Sequence, residues 1–392
     1  MIQLGSPAVK EIVSRMSTPY RVMLVDDSAV IRGFLARWLK EESDIEVVAS
    51  VSNGAIALRE FEKAKPDVVI LDIEMPEMDG MTALPKLIAL DPEVKVIMAS
   101  TLTLRNADIS MKALSMGAAD YIPKPESTRV AGDKEIFQRD LVAKVRALAA
   151  RRRGGAGLAA KVTERQPAAA SPVSKSTSAQ SNSLYRNSEI VLRKSTLSLM
   201  PQVLAIGSST GGPQALFKLF EKLKGRITKP IFITQHMPAT FTSILAEHLG
   251  KIAGVICKEG VNGEIVEDNH IYLAPGDWHM TVVKEGGDVR IKLNQDPPEN
   301  FCRPAVDPML RSLTDVYGGR VLTVILTGMG HDGQKGSEEL AKAGAPIIAQ
   351  DEATSVVWGM PGAVATSGLS SAVLPLDDIP DAISNVMTGR PI

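Results

Sequence analysis

The chain has 392 residues, more than one hydrophobic core usually serves, so two domains are expected. Apolar residues make up 44% and charged residues 23%, which excludes a wholly disordered chain. The formal net charge of -1 excludes a basic surface over the whole molecule, and two cysteines are too few for a disulfide framework. No signal-peptide pattern and no apolar run of about 18 residues is present, so a cytoplasmic protein without membrane insertion is expected.

Apolar runs alternate with amphipathic, helix-like segments between residues 20 and 145. The runs are RVMLVDD, IEVVASV, DVVILDIEMP, KVIMAST and ADYIPKP, of which the last is the least strand-like. This alternation predicts an α/β domain with a doubly wound, parallel sheet of five strands. Residues 1–19 form an N-terminal extension before it.

Residues 146–199 have a different composition, rich in Ala, Ser, Gly and Gln and poor in large apolar side chains. Such a segment buries too little apolar surface to offset its ordering entropy, so a flexible linker is predicted. Alternation resumes over residues 200–390 with QVLAIGSS, PIFITQHMP, GVICKEG, HIYLAPGD, DVRIKLNQ, RVLTVILTGMG and APIIAQDE. A second doubly wound α/β domain with a mostly parallel sheet is therefore expected.

Polar side chains follow the predicted strands of the first domain. Asp26 and Asp27 end the first strand and Asp72 the third, while Ser100 ends the fourth and Lys124 follows the fifth. Because the carboxyl ends of parallel strands line one crevice, these groups should converge. Carboxylates suit Mg²⁺, and the lysine and serine could hold phosphoryl oxygens. Each residue alone could be a helix cap, a turn or a surface lysine, but five together favour a site.

The motifs LVDDS, LDIEMPEMDG and YIPKP resemble the receiver domain of response regulators, which has a flavodoxin-like fold. The resemblance implies that Asp72 accepts a phosphoryl group from a histidine kinase. It also implies that Asp72, Asp27 and the backbone carbonyl of Glu74 hold Mg²⁺, with Asp26 acting through water. Tyr121 corresponds to the switch aromatic residue of that family.

The stretch GSSTGG, residues 207–212, follows an apolar strand and opens a predicted helix. Its N–H groups and the helix dipole would suit a phosphate or an oxyanion, and a serine here could also cap the helix. GSSTG matches the nucleophile-elbow pattern G-x-S-x-G with Ser209 as the nucleophile, whereas the P-loop lysine is missing. The pattern by itself leaves these alternatives open.

A serine nucleophile needs a base and an orienting carboxylate. His236 directly follows an apolar strand and precedes the turn-forming Pro238, and Asp332 lies on a glycine-rich loop after another apolar strand. Taken singly, the histidine could be an exposed loop residue and the aspartate a helix cap. The order Ser, His, Asp differs from that of α/β-hydrolases, so another fold is expected. Backbone N–H groups near Thr210 and Met329 are the candidates for an oxyanion hole.

The two cysteines are the alternative nucleophiles. Cys302 precedes Arg303, whose charge could lower the pKa of the thiol, but it lies in the irregular run PPENFCRPAVD. Cys257 lies in the apolar run GVIC and is expected to be a packing residue. The sequence therefore favours Ser209 over either cysteine.

The second domain resembles the catalytic domain of the CheB family of chemotaxis protein-glutamate methylesterases. The stretches that carry the resemblance are AIGSSTGG, QHMP, FTSILAEHL, HIYLAPGDWHM, RPAVD, TGMGHDGQKG and AQDEATSVVWGMP. It implies that Ser209, His236 and Asp332 are catalytic and that the esterase site needs no cofactor. It further implies demethylation of glutamate methyl esters and deamidation of glutamines on chemoreceptors, regulated by the receiver, which covers the catalytic crevice until phosphorylated. Ala305 stands where the family often has serine, which affects a secondary contact rather than the triad.

Two other functions of the second domain fit the sequence less well. A DNA-binding output would need a helix-turn-helix or a basic face in the second half, where strands and glycine turns occur instead. A nucleotide-binding module would use GSSTGG and GMGHDG as phosphate loops, and the missing P-loop lysine argues against it. No nucleic-acid partner is expected.

Overall fold

The computed structural model describes residues 18–124, 131–155, 190–193 and 200–392. Most of the predicted N-terminal extension and most of the predicted linker therefore lie outside the described residues. Among the helices that the structure describes, none is both long and apolar enough to cross a bilayer.

The first sheet has five strands, as the sequence predicts. They are β1 (Tyr20–Val25), β2 (Ile45–Val51), β3 (Val68–Asp72), β4 (Lys95–Ser100) and β5 (Asp120–Pro123). The helices in this part of the chain are α1 (Ala29–Lys40), α2 (Gly54–Ala64), α3 (Gly80–Leu90), α4 (Leu104–Ser115) and α5 (Ala131–Gly155). The strand order is β2-β1-β3-β4-β5, and β1 pairs in parallel with both of its neighbours. This is the flavodoxin-like order, so the predicted fold class is confirmed.

Helix α5 ends at Gly155, so the first part of the predicted linker is helical. Two arginines of this helix, which belong to the predicted linker, form ion pairs. Arg146 Nε donates to Asp44 Oδ2 at 2.8 Å, and Arg153 Nη2 donates to Asp67 Oδ2 at 2.6 Å. Composition shows the excess of basic residues but not their partners, which lie far away along the chain. The domain limits themselves stay a prediction.

The second sheet has seven strands. They are β6 (Val203–Ser208), β7 (Ile231–Gln235), β8 (Ile256–Glu259), β9 (His270–Leu273), β12 (Val321–Ile325), β13 (Ile347–Gln350) and β14 (Ala372–Leu374). Between β9 and β12 in the chain, β10 (His279–Glu285) and β11 (Asp288–Asn294) form a separate antiparallel hairpin. The helices are α6 (Gly212–Leu223), α7 (Ala239–Ala253), α8 (Val306–Tyr317), α9 (Gln334–Lys342), α10 (Met360–Thr366) and α11 (Ile379–Met387). The sequence analysis did not predict β10 or β14.

The order of the second sheet is β14-β13-β12-β6-β7-β9-β8, and its recorded strand pairs are all parallel. From β6 the chain continues towards β7, and from its neighbour β12 it continues to the other side, towards β13. The carboxyl ends of β6 and β12 therefore mark the point where the strand order reverses, which is the usual place for a ligand site in such a sheet. Strands β6, β7 and β12 are buried throughout, which explains their continuous apolar sequences.

Candidate active site

Ser209 directly follows β6 and is half-buried. Its N–H donates to the carbonyl of Thr327 at 3.0 Å, and its own carbonyl accepts from the N–H of Gly212 at 2.7 Å. The N-cap of α6 is Gly211, in the left-handed region at φ 73°, and no side chain caps this helix. The capping alternative for Ser209 is therefore wrong.

Glycines allow two loops to approach closely at this serine. A Cβ atom at Gly212 would lie 2.0 Å from Gln235 Oε1, and one at Gly328 would lie 2.9 Å from Ser209 Cβ. The loop after β12 therefore packs directly against the turn that carries Ser209. A side chain at Gly328 would push the two loops apart, and one at Gly212 would displace the Gln235 side chain.

The structure brings His236 and Asp332 together. His236 directly follows β7, and its Nε2 lies 2.7 Å from Asp332 Oδ2. Their side chains are 11% and 1% exposed, so water competes little for this contact. The strand register pairs Ser208 with Gln235, which places Ser209 and His236 at neighbouring strand ends. Two of the three predicted triad members are thus in direct contact, and the third lies on the adjacent strand end.

Within the part of the chain that the structure describes, no hydrogen bond joins the Ser209 hydroxyl to the His236 imidazole. The other ring nitrogen, Nδ1, instead lies 3.3 Å from Cys302 Sγ. Because Asp332 engages Nε2, Nδ1 is the nitrogen left to exchange a proton with a nucleophile. The contact between Cys302 and His236 was not predicted, because the two residues are far apart in the chain and only the fold brings them together.

A tight turn brings Cys302 to the imidazole. The N–H of Glu299 donates to the carbonyl of Cys302 at 3.1 Å, and the reciprocal bond measures 2.8 Å. The two central residues, Asn300 and Phe301, have positive φ angles of 51° and 65°, as in a type I′ turn. Asn300 Nδ2 donates to Asp332 Oδ1 at 3.0 Å, which ties the turn to the site.

The basic neighbour of the thiol is the imidazole and not the arginine that follows it in sequence. Arg303 Nη2 lies 2.7 Å from Asp277 Oδ1, so this guanidinium group is paired with a carboxylate. Burial alone would lower the pKa of His236. The negative charge of Cys302 and the hydrogen bond with Asp332 outweigh burial and raise that pKa well above its usual range.

Asp332 is held by the first turn of α8. Its Oδ2 accepts from the N–H of Val306 at 2.6 Å, and its Oδ1 accepts from the N–H of Asp307 at 3.1 Å. The N-cap, Ala305, has no polar side chain, so the carboxylate supplies the missing acceptor. Burial alone would raise the pKa of Asp332, but the hydrogen bond and charge of His236, with these N–H groups, hold it below its usual range.

One of the two predicted oxyanion donors belongs to the turn that carries Ser209, and the other belongs to the loop that packs against this turn. Thr210 is buried next to Ser209 in the chain, and Met329 follows Gly328, whose Cα faces the serine. Within the described part of the chain, neither the Thr210 nor the Met329 N–H donates to a protein acceptor. Two such donors beside a nucleophile are what a developing oxyanion needs.

A separate cluster of three carboxylates lies at the first sheet. One oxygen from each of Asp26, Asp27 and Asp72 lies within 4.8 Å of the others. Asp26 and Asp72 are buried, whereas Asp27 is exposed. Hard oxygen donors converging in this way fit a divalent cation such as Mg²⁺.

The other predicted receiver residues lie in or just after β3, β4 and β5. Ser100 ends β4, its buried hydroxyl accepts from the Ser110 hydroxyl at 3.2 Å, and its carbonyl accepts from the N–H of Lys124 at 2.6 Å. Tyr121 is buried in β5, and Glu74 is exposed after β3. Their roles in phosphorylation stay predictions.

Comparisons with known proteins agree with this two-part organisation. A family model described as response regulator receiver domain matches residues 22–131, and one described as CheB methylesterase matches residues 204–383. A relative from Paramagnetospirillum magneticum is 55% identical over 372 residues, covering 94% of this chain and 97% of the relative. The chain belongs to the CheB methylesterase family.

Two further relatives of this CheB-family chain come from Rhodospirillum centenum and Azospirillum brasilense. The first is 53% identical over 377 residues, covering 95% of each chain. The second is 55% identical over 368 residues, covering 92% of this chain and 91% of the relative. All three relatives are named protein-glutamate methylesterase/protein-glutamine glutaminase, and the name of the Rhodospirillum centenum relative adds that it belongs to a group 2 operon.

Gln235 is a site residue of this CheB-family chain that sequence reasoning did not single out. It ends β7, is 2% exposed, and accepts the Ser208 hydroxyl at 2.7 Å through Oε1. Its Nε2 donates to the carbonyls of Ser209 at 2.9 Å and His236 at 3.2 Å. The side chain thus ties together the backbones of two predicted catalytic residues. The motif QHMP contains it, but no spacing rule separates its role from that of any other strand residue.

Asp307 is a second carboxyl group behind Asp332 that sequence reasoning also missed. It is fully buried and accepts from the N–H of Gly336 at 2.8 Å and from Asn300 Nδ2 at 3.0 Å. Burial and the charge of Asp332 raise its pKa. The pKa values of the two neighbouring carboxyl groups therefore differ, and the negative charge lies on Asp332, beside the imidazole.

Proposed function

We propose that this chain is a cytoplasmic hydrolase that demethylates glutamate methyl esters on chemoreceptors, and deamidates glutamines there, with Ser209 as the nucleophile. The names of the relatives supply the substrate chemistry. The observation that carries the site assignment is the 2.7 Å contact between His236 and Asp332 at the strand end beside Ser209. A base fixed by a buried carboxylate next to a serine is the arrangement that activates a hydroxyl nucleophile.

Acylation would use Nδ1, the ring nitrogen that faces Cys302 and not Asp332. Asp332 accepts the Nε2–H of His236 and so keeps the lone pair on Nδ1. With substrate bound, the Ser209 hydroxyl gives its proton to Nδ1 as Oγ attacks the γ-carbonyl carbon of the ester. The N–H groups of Thr210 and Met329 donate to the oxyanion that forms. The imidazolium then protonates the departing oxygen and methanol leaves, or ammonia leaves when the substrate is a glutamine.

Deacylation would repeat the same proton movements with water. His236 takes a proton from water, the oxygen attacks the acyl carbon, and the bond to Ser209 Oγ breaks as the serine regains its proton. The product is a glutamate carboxylate. No group other than this chain's residues and water is needed to balance the reaction.

We propose in addition that Asp72 accepts a phosphoryl group from a histidine kinase and that this raises the esterase rate. Asp27, Asp72 and the backbone carbonyl of Glu74 would hold Mg²⁺, with Asp26 acting through water. When bound, the ion would neutralise charge on the incoming phosphoryl group. The converging carboxylate oxygens at the first sheet support this part of the proposal.

The remaining receiver residues would act after phosphoryl transfer. The Ser100 hydroxyl and the Lys124 ammonium group would bind phosphoryl oxygens, since both lie at strand ends of the same sheet. Tyr121, which is buried in β5, would act as the switch residue that responds to phosphorylation. These roles follow the family pattern that the receiver motifs carry.

Replacing the nucleophile tests the assignment. Ser209→Ala is expected to lower kcat for methanol release from methylated receptor membranes by about 10⁶-fold, because the proposed acyl-enzyme forms on this hydroxyl. Phosphorylation at Asp72, measured with a small phosphodonor, should be unchanged. Ser208→Ala is the matched control for the neighbouring serine and should keep kcat within about tenfold. Undiminished methanol release from Ser209→Ala would refute the assignment.

A further inference from the structure

One nucleophilic side chain at the esterase centre takes no part in the proposed ester hydrolysis. Cys302 Sγ lies 3.3 Å from His236 Nδ1, and Nε2 of the same ring lies 2.7 Å from Asp332. A thiol, a base and a buried carboxylate are therefore aligned in one chain of contacts. This alignment is the one that converts a thiol to its reactive thiolate.

The charges in this chain of contacts favour a protonated imidazole. Burial alone would lower the pKa of His236, but the negative charge of Cys302 on one side and Asp332 on the other raise it, so the ring readily takes up a proton. The carboxylate that supports the imidazolium is 1% exposed and receives two N–H groups from the first turn of α8.

The thiol lies at the base of a surface turn. Cys302 is half-buried, and its neighbour Phe301, at the tip of the turn, is 78% exposed. The residue therefore belongs to a turn whose tip is in solvent and not to the interior of the sheet. The turn itself is held in place by Asn300, which donates to Asp332 at 3.0 Å and to Asp307 at 3.0 Å.

The second cysteine of the chain has the opposite environment. Cys257 lies in β8, and burial raises its pKa to about 12. Its thiolate is scarce at neutral pH, and it serves as an internal reference. Cys302, whose sulfur lies 3.3 Å from a ring nitrogen that can take its proton, should react at least about tenfold faster than Cys257.

We propose that Cys302 is a modification site built into the esterase centre, where a low-molecular-weight disulfide forms a reversible mixed disulfide that stops ester hydrolysis. The loss of hydrolysis rests on the proposed role of His236 as the base. The formation of the mixed disulfide rests only on the contacts of the thiol.

The chemical step is a thiol–disulfide exchange. His236 Nδ1 takes the proton from Cys302 Sγ, and the sulfur attacks one sulfur of the reagent disulfide. The new sulfur–sulfur bond forms as the reagent's own bond breaks, and the departing thiolate takes the proton back from Nδ1 as a free thiol. Cys302 is oxidised, the departing sulfur is reduced, and excess free thiol reverses the step.

Modification would stop the esterase because of where the sulfur lies. Nδ1 is the nitrogen that must receive the Ser209 proton, since Nε2 is held by Asp332. A group attached to Cys302 Sγ occupies the space directly beside Nδ1. The serine hydroxyl and the carbonyl carbon of a substrate would then be kept from the base.

Oxidised glutathione is the probe for the test, used on the full chain. Intact-mass spectrometry should show one glutathione per chain, peptide mapping should place it on Cys302, and methanol release should fall in proportion to the modified fraction. Dithiothreitol should restore both. Cys257→Ser should behave like the wild type. Cys302→Ser and Cys302→Ala, each compared with its own untreated activity, should lose none.

Three results would overturn the proposal. The first is an absence of adduct on Cys302, the second is an adduct on Cys302 with full esterase activity, and the third is equal inhibition of Cys302→Ser. Adduct formation is also followed in Ser209→Ala and His236→Ala, by mass alone. Ser209→Ala should be modified at the wild-type rate and His236→Ala at least about tenfold more slowly. If Ser209→Ala hydrolysed ester, the nucleophile assignment would fail while the thiol results stood.

Discussion

The imidazole of His236 is the group that sets the pH at which this esterase centre works. Only the neutral ring can accept the Ser209 proton, and its pKa is raised by Cys302 and Asp332 against the opposing effect of burial. The rising limb of kcat/KM should therefore lie above pH 6.5 or so, the ordinary value for histidine. Removing the sulfur charge with Cys302→Ser should move that limb to lower pH, because one of the two interactions that stabilise the imidazolium is lost.

The check is the pH profile of kcat/KM for methanol release in the wild type and in Cys302→Ser. Cys257→Ser is the control, since its thiol lies in β8 and is not in contact with the imidazole. If the rising limb lay at the same pH in Cys302→Ser as in the wild type, the sulfur would not act on His236.

Individual site residues differ in how far the sequence could predict them. Ser209, His236 and Asp332 each follow a buried strand, and the rule that strand ends converge needs only the strand order. Cys302 and Asp307 follow no strand. They reach the site through the turn at Asn300 and the first turn of α8, which depend on contacts that local patterns do not encode.

At the scale of secondary structure, the ends of β6 and β7 are joined by one side chain. Gln235 bonds the Ser208 hydroxyl and the carbonyls of Ser209 and His236. Gln235→Leu would leave these polar groups buried without their partner, at a cost of about 1–3 kcal/mol of folding stability for each. It should also let the two catalytic residues drift, lowering kcat by about 10- to 100-fold with little change in KM.

This prediction is measured by kcat, KM and thermal unfolding of Gln235→Leu. Gln295→Leu is the matched control, because that glutamine is exposed after β11. A loss of stability with kcat unchanged would show that Gln235 holds the fold and does not position the catalytic residues.

Strands and helices were predictable where burial is continuous. β6, β7 and β12 are buried along their full lengths, and their sequences are unbroken apolar runs. β14 has three residues and β10 is partly exposed, so neither gives a clear pattern. Helix α5 continues past the predicted boundary because its arginines have partners that composition does not reveal.

Across the whole molecule, two chemistries are encoded in separate sheets. The first sheet presents three carboxylates whose oxygens converge, and the second presents an imidazole and a carboxylate beside a serine. The alternation of strands and helices was sufficient to predict the first sheet and most strands of the second, and the order of motifs was sufficient to predict the family. Coupling between the two chemistries is a property of the full chain that neither sheet explains alone.

The coupling is tested by removing the phosphorylation site and leaving the esterase centre intact. Asp72→Asn replaces a buried carboxylate with an amide that cannot form an acyl phosphate. Methanol release by the wild type should rise when a small phosphodonor and Mg²⁺ are added, whereas release by Asp72→Asn should stay at its own starting rate. Glu74→Gln is the matched control: its backbone carbonyl is kept and its exposed side chain is not required, so its response should be that of the wild type. Equal stimulation of Asp72→Asn would place the control of the esterase outside this aspartate.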